Sequence, residues 1–433
     1  MNFFGRLART LWGDITRTEL RKFALLSVIS FSFISTYSML RPLKDILFMR
    51  FVGTLYLPYA KMASFAIMIP LTLIYGVLVD RLEKHRLFYI VCGFYGLLFL
   101  ACGFLLAHPT LGLANESTNL YRLTGWLVYL GIESFIMISI SLFWSFVTSS
   151  TSNESAKRGY PIIMALSQLG SIAGPELSKN AWFIGIPTLF IIGGLSLFAL
   201  IAIIYQLVRW YPEVITLERS GKPTGPIEGL RLVLSRPYLM LITTTMACYT
   251  MVSALLEYQL NHCIAARFTT LEDMAMFTGS LIQATNLITF FFALVGSSFF
   301  IRTFGVRACM VAFPVLVGCI IVGVWFNPSL WIIFGAIMAL KSLSYALNHP
   351  CREILYVPTS IDVKFKAKSW IDWFGYRGSY ALGGCVNQLF SSTAALMFAG
   401  PIVGIVICAA WAAGSWRLGT MNQKLIAEHK IIE

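Results

Sequence analysis

Long apolar runs of roughly 18–25 residues follow one another along this whole chain, separated by short polar stretches. Each run is long enough to cross about 30 Å of hydrocarbon as a helix. In that medium no water satisfies exposed peptide groups, so a spanning segment must close its own hydrogen bonds, and runs of this length do so as helices. Twelve runs read at about 23–41, 57–79, 87–107, 124–147, 161–180, 183–208, 238–258, 276–299, 305–325, 330–347, 373–397 and 399–416. The expected fold is an all-α polytopic membrane protein. A composition that is 57% hydrophobic and 12% charged agrees.

The net charge of +13 invites a nucleic-acid reading, but its distribution argues for topology instead. With the N-terminus cytoplasmic, inward segments hold 24 of the 33 Lys and Arg residues and outward segments hold 7, while Lys341 and Arg377 fall inside spans. That bias follows the positive-inside rule and places both termini on the cytoplasmic side of a bacterial inner membrane. The only partners it requires are the lipid bilayer and a transported solute, and a monomer suffices. Residues 1–22 read as an interfacial segment, with Phe4, Leu7, Leu11, Trp12 and Ile15 on one helical face, and not as a cleavable signal. The nine cysteines form no Cys-x-x-Cys pattern and no cluster with histidine, so neither a metal nor another cofactor is expected.

The longest polar stretch, 209–237, contains Pro212, Pro223, Pro226 and Pro237 and divides the chain near its middle. The resulting layout is a six-helix half at 23–208, a cytoplasmic linker at 209–237, a second half at 238–416 and a tail at 417–433. Two sets of six about a linker describe a major-facilitator-like carrier, in which the halves rock about a midplane site. The sequence GVLVDRLEKHR at 76–86 is close to the facilitator loop G-x-x-x-D-R-x-G-R-R/K, and makes Asp80, Arg81 and Arg86 candidates for gating. Glu83 stands where that pattern has glycine, and the plain alternative is a solvated charged turn.

Ionisable side chains inside spans are expensive and usually kept for function. Arg41, Lys44 and Asp45 close the first run, and their two cations and one carboxylate leave a net positive charge that an anion would complete. Glu133 has no basic residue within a turn on its own helix, and Glu257 ends the seventh run. Each must find a cation on another helix, stay protonated or face a watery cavity. Lys364, Lys366 and Lys368 precede Asp372 and Arg377, and Lys368 and Asp372, four apart, can form an ion pair.

Four stretches carry a family resemblance. LRPLKDIL at 40–47 is similar to R-x-x-K-D-x-L. Glu133 is followed by LFWSF at 142–146 and ESAKRGYP at 154–161, similar to E…L-F-W-x-F…E-A-K-R-F-Y-P. Glu257 closes the seventh span, and HPCREILYVP at 349–358 precedes KFKAKSWID at 364–372, similar to D-P-T-K-E-x-x-Y-I-P and K-x-K-G-K-A-A-I-D. The chain thereby resembles the ATP:ADP antiporters of intracellular bacteria and plastids, the TLC-type nucleotide transporters. The resemblance implies ATP/ADP exchange, with Lys44 and Lys368 holding phosphates and Glu133 and Glu257 coupling release to the conformational switch. Arg41, Arg352, Asp372 and Arg377 complete the expected substrate-binding set. His349, Arg352 and Asn261 depart from the family's Asp, Lys and Lys.

No G-x-x-x-x-G-K-[ST] loop and no H-E-x-x-H motif is present, so the chain is not expected to be an enzyme. A proton-driven symporter of a nucleotide or other organic anion, with Glu133 or Glu257 carrying the proton, is the alternative within transport. A non-transporting receptor on the same scaffold is the alternative outside it.

Overall fold

The computed structural model describes residues 16–149, 153–211, 226–356, 358–359, 367–368, 370–390 and 392–428, which are almost wholly helical. The chain forms two compact units. Unit 1 is Met1–Gly53, Ala66–Gly221 and Thr270–Gln283, and unit 2 is Thr54–Phe65, Lys222–Thr269 and Ala284–Glu433. The long helices are α1 (Arg17–Phe51), α2 (Leu57–Arg81), α3 (Lys84–Ala107), α4 (Leu123–Ser149), α5 (Asn153–Lys179), α6 (Ile186–Trp210), α7 (Pro237–Arg267), α8 (Leu271–Phe326), α9 (Leu330–Leu343), α10 (Tyr376–Gln388) and α11 (Thr393–Ala427). Residues 212–225 of the expected linker and 1–15 of the interfacial segment lie outside the described residues, and Pro226–Ser235 forms a short helix before α7.

Among the described residues nine helices are long and apolar enough to cross a bilayer: α1–α4, α6, α7, the two arms of α8, and α11. The remaining three expected spans are α5, α9 and α10. The α5 helix carries Ser167, Gln168, Ser171, Glu176, Ser178 and Lys179, which dilute its apolarity; Ser167 bonds to Ser30, and Ser178 donates to the Met39 carbonyl at 2.5 Å. It also carries Gly170 and Gly174. A Cβ on Gly174 would lie 2.3 Å from the Ser35 carbonyl oxygen, and one on Gly170 2.6 Å from that of Phe31. This pair lets the α1 and α5 backbones touch, which is how helices associate where lipid removes the hydrophobic driving force.

Two run boundaries differ from the sequence expectation. The first run does not end at residue 41. Capped by Thr16, whose hydroxyl accepts from the Glu19 N–H at 3.2 Å, α1 continues unbroken through Pro42 to Phe51. Arg41, Lys44 and Asp45 therefore lie inside the helix, with Ile46, Leu47, Phe48 and Phe51 buried beyond them. The eighth and ninth runs are, as expected, two separate helical arms of α8, parted at Gly305, whose φ of 79° and ψ of 161° break the helical path in a conformation open to glycine at little cost. The eleventh run does not reach 397. The α10 helix stops at Gln388, and Ser392 begins α11 by accepting from the Ala395 N–H at 3.2 Å.

Irregular helix flanks the last candidate residues. Past α9 the chain widens into a π-helical turn at Ser344–Asn348, continues as His349–Leu355, and widens again at Ile371–Gly375 before α10. Such turns insert an extra residue per turn and are frequent at functional sites.

Candidate functional site

In unit 1, α1 and α4 bring Lys44 and Glu133 together. The lysine is 5% exposed, and its Nζ donates to Glu133 Oε1. The same Nζ lies 3.7 Å from Asp45 Oδ1 and 4.8 Å from the centre of the Tyr129 ring, one turn before Glu133. Arg41 lies over the ring of Tyr37 at 5.9 Å. Phe48 caps this group by packing against Trp126 and Tyr129, at 5.0 and 5.2 Å between ring centres. Glu133 has thus found a cation on another helix. It also changes the local balance, because the two cations of α1 now meet two carboxylates instead of one.

In unit 2, Glu257 of α7 plays the corresponding part. Lys341 of α9 donates to its Oε1 at 2.7 Å, and the Tyr380 hydroxyl of α10 donates to its Oε2. Lys341 was legible in the sequence only as a cation inside a span, and by that rule alone it belonged among the candidates. Tyr380 carried no sequence signal that separates it from core aromatics.

The second group of unit 2 corrects an expected pairing. Lys368 does not close onto Asp372. Its Nζ lies 2.5 Å from Glu353 Oε2, and Asp372 Oδ1 lies 3.6 Å from Arg352 Nη2. The reason is geometric: Arg352 and Glu353 are consecutive on the segment His349–Leu355 and offer opposite charges to Asp372 and Lys368. Arg352 also approaches His349 Nδ1 at 3.5 Å. Arg377, half-buried, stands on the first turn of α10. Lys364 and Lys366 lie outside the described residues.

At the expected gating loop, Asp80 and Arg81 end α2, and Arg86 lies in the first turn of α3. The Asp80 side chain is not among those described. Glu83, in the place of the pattern's glycine, holds Arg86 at 2.9 Å, with His85 3.6 Å from the same carboxylate oxygen. Among the described residues no group of histidine, cysteine or acidic side chains is placed to hold a metal.

The helical membrane scaffold that holds these ion pairs has a major-facilitator-like fold. Solved structures with this fold include the nucleoside transporter NupG (TM-score 0.60, 14% identity, covering 95% of this chain and 99% of that one) and a bacterial homologue of the iron transporter ferroportin in an inward-facing state (TM-score 0.62, 13% identity, 92% and 99%). The family is narrower. A model described as TLC ATP/ADP transporter matches residues 1–421, and the chain belongs to that family. It is 24% identical to ADP,ATP carrier protein 4 of Rickettsia typhi over 97% of this chain and 94% of that protein. It is also 25% identical to the chloroplastic ADP,ATP carrier protein 2 of Arabidopsis thaliana, over 96% and 76%. It is a multi-pass membrane transporter and not an enzyme.

Proposed function

We propose that this protein exchanges ATP for ADP across a bacterial inner membrane by alternating access, as a monomer with both termini cytoplasmic. The observation that carries the reading is the family match over residues 1–421, together with a lysine–glutamate pair inside each unit, half-buried in unit 2 and more deeply buried in unit 1. Lys44 and Lys368 serve as phosphate holders, helped by Arg41, Arg352 and Arg377. Glu133 competes with the substrate for Lys44, and Asp372 for Arg352; Glu257, paired with Lys341, couples release to the conformational switch, and Asp80, Arg81 and Arg86 govern the switch between states. A nucleotide phosphate that takes a lysine away from its glutamate changes the energy of the occupied carrier relative to the empty one. Only such a difference in affinity between states lets a ligand drive a conformational change.

Exchange is favoured over proton symport by the pairing itself. A carboxylate already held by a lysine needs no proton to be tolerated inside a span, and both Glu133 and Glu257 are held in this way. The test is uptake of labelled ATP into proteoliposomes that are preloaded with ADP or left empty. Uptake that requires internal ADP supports exchange. Uptake into empty vesicles that follows an imposed pH gradient establishes symport instead.

A further inference from the structure

Lys61 attracts no notice in the sequence, where it reads as one more cation on the outer side of the second span. In unit 2 it lies on the second turn of α2 and is 3% exposed, more deeply buried than Lys44 at 5%. Its Nζ lies 4.4 Å from the centre of the Tyr380 ring. The hydroxyl of that ring donates to Glu257, which in turn pairs with Lys341. Gly384, one turn after Tyr380, allows the approach: a Cβ there would lie 3.2 Å from the Pro58 carbonyl oxygen and 3.7 Å from Lys61 Cβ. Four helices thus contribute to one chain of contacts that has a lysine at each end, Lys61 and Lys341, and a tyrosine and a glutamate between them.

We propose that Lys61 is a phosphate-binding residue, contributing with Lys341 a two-point holder for the terminal phosphates of a nucleoside di- or triphosphate. The proposal rests on the nucleotide reading above and adds to it a residue of α2. The physical case has three parts. A lysine buried in a membrane span is costly and is kept where an anion or a proton path needs it. The face of an aromatic ring attracts an ammonium, and a phosphate's charge-assisted hydrogen bonds attract it more strongly. And the second lysine is tied to the first through Tyr380 and Glu257, so a phosphate arriving at one end alters the contacts at the other.

The test compares adenosine, AMP, ADP and ATP as ligands of the purified full chain, in the parent and in Lys61→Gln, by radioligand binding with thermal unfolding measured alongside. In the parent, affinity is expected to rise with each phosphate. In Lys61→Gln, ADP and ATP are expected to lose roughly ten- to hundredfold in affinity, the range of a lost hydrogen bond to a charged group, while adenosine and AMP keep theirs. Lys61→Arg, which retains the charge, is expected to recover most of the loss. Equal weakening across all four ligands, or none, overturns the assignment, because a purely structural lysine has no reason to count phosphates. Should Lys61→Gln not fold, Lys61→Met, an apolar chain of similar length suited to a buried helical site, takes its place under the same criteria. A parent that binds none of the four removes the nucleotide reading and this proposal together. A parent that binds them with an unaltered variant removes only the role of Lys61.

Discussion

The two lysine–glutamate pairs occupy corresponding helices with the charges exchanged. In unit 1 the cation is on α1, the first helix of its set, and the carboxylate is on α4, the fourth. In unit 2 the carboxylate is on α7, again the first, and the cation is on α9, which is the fourth span once the two arms of α8 are counted. The supports are exchanged as well. Tyr129 turns its ring face to the cation of unit 1, and Tyr380 turns its hydroxyl to the carboxylate of unit 2. Each unit thus places one charge of each sign where its first and fourth helices meet, in opposite order. The pairs differ in depth too: side-chain exposures are 7% and 13% for Lys44 and Glu133, against 20% and 18% for Lys341 and Glu257. A deeper pair is harder to break on one side only, since the surviving charge has less access to water.

This comparison predicts a graded set of effects. Lys44→Ala should be the most damaging, because it strands Glu133 within the span. Stability is expected to fall by about 3–5 kcal/mol, exchange should be abolished, and Lys44→Ala with Glu133→Ala should recover much of the stability but not the exchange. Thermal unfolding and vesicle uptake read the two effects separately, and parent-like uptake in Lys44→Ala would remove the residue from the site. Exchanging the pair, Lys44→Glu with Glu133→Lys, gives unit 1 the charge order of unit 2. Unfolding close to the parent's is expected if the scaffold needs only opposite charges, while uptake should stay low because a phosphate holder must stand on α1.

Smaller effects are expected in unit 2. Glu257→Gln keeps the acceptor for Tyr380 but removes the counter-charge of Lys341, and its greater exposure should limit the cost to about 1–3 kcal/mol. Exchange should fall more than equilibrium nucleotide binding; equal losses of both would argue against a coupling role. Tyr380→Phe removes a single hydrogen bond to a carboxylate and should cost about 1.5–3 kcal/mol at most, with a measurable slowing of exchange. The least change in stability belongs to Lys368→Ala. Lys368 and Glu353 are 31% and 54% exposed, and an exposed pair contributes about 0–1 kcal/mol. A near-normal unfolding temperature combined with lost uptake would mark Lys368 as a residue that works on substrate.

Much of the site could be read from the chain because its ionisable residues stand out against apolar surroundings. Glu133 and Glu257 were marked by isolation, and the need of each for a cation from another helix followed from the cost of burying a lone charge. What could not be read is which cation answers. Lys44 is 89 residues from Glu133 and Lys341 is 84 from Glu257, and neither separation leaves a trace in helical periodicity. Local spacing even misled at Lys368 and Asp372. Four residues on one helix permit a pair, yet both side chains found partners on the segment His349–Leu355.

The sequence by itself determined the solvent, the helical architecture and the identity of most of the costly groups, because those depend on run length and on which residue types an apolar run contains. Only the tertiary structure decided the pairings, the opposite order of charge in the two units and the burial of Lys61. A helix repeats every 3.6 residues and says nothing about its neighbours, whereas burial and ion pairing are set by which helix faces meet. Lys61 shows the difference most plainly. One turn into the second span it reads as a cation at the membrane surface, until Gly384 on a helix more than three hundred residues later lets α10 close over it.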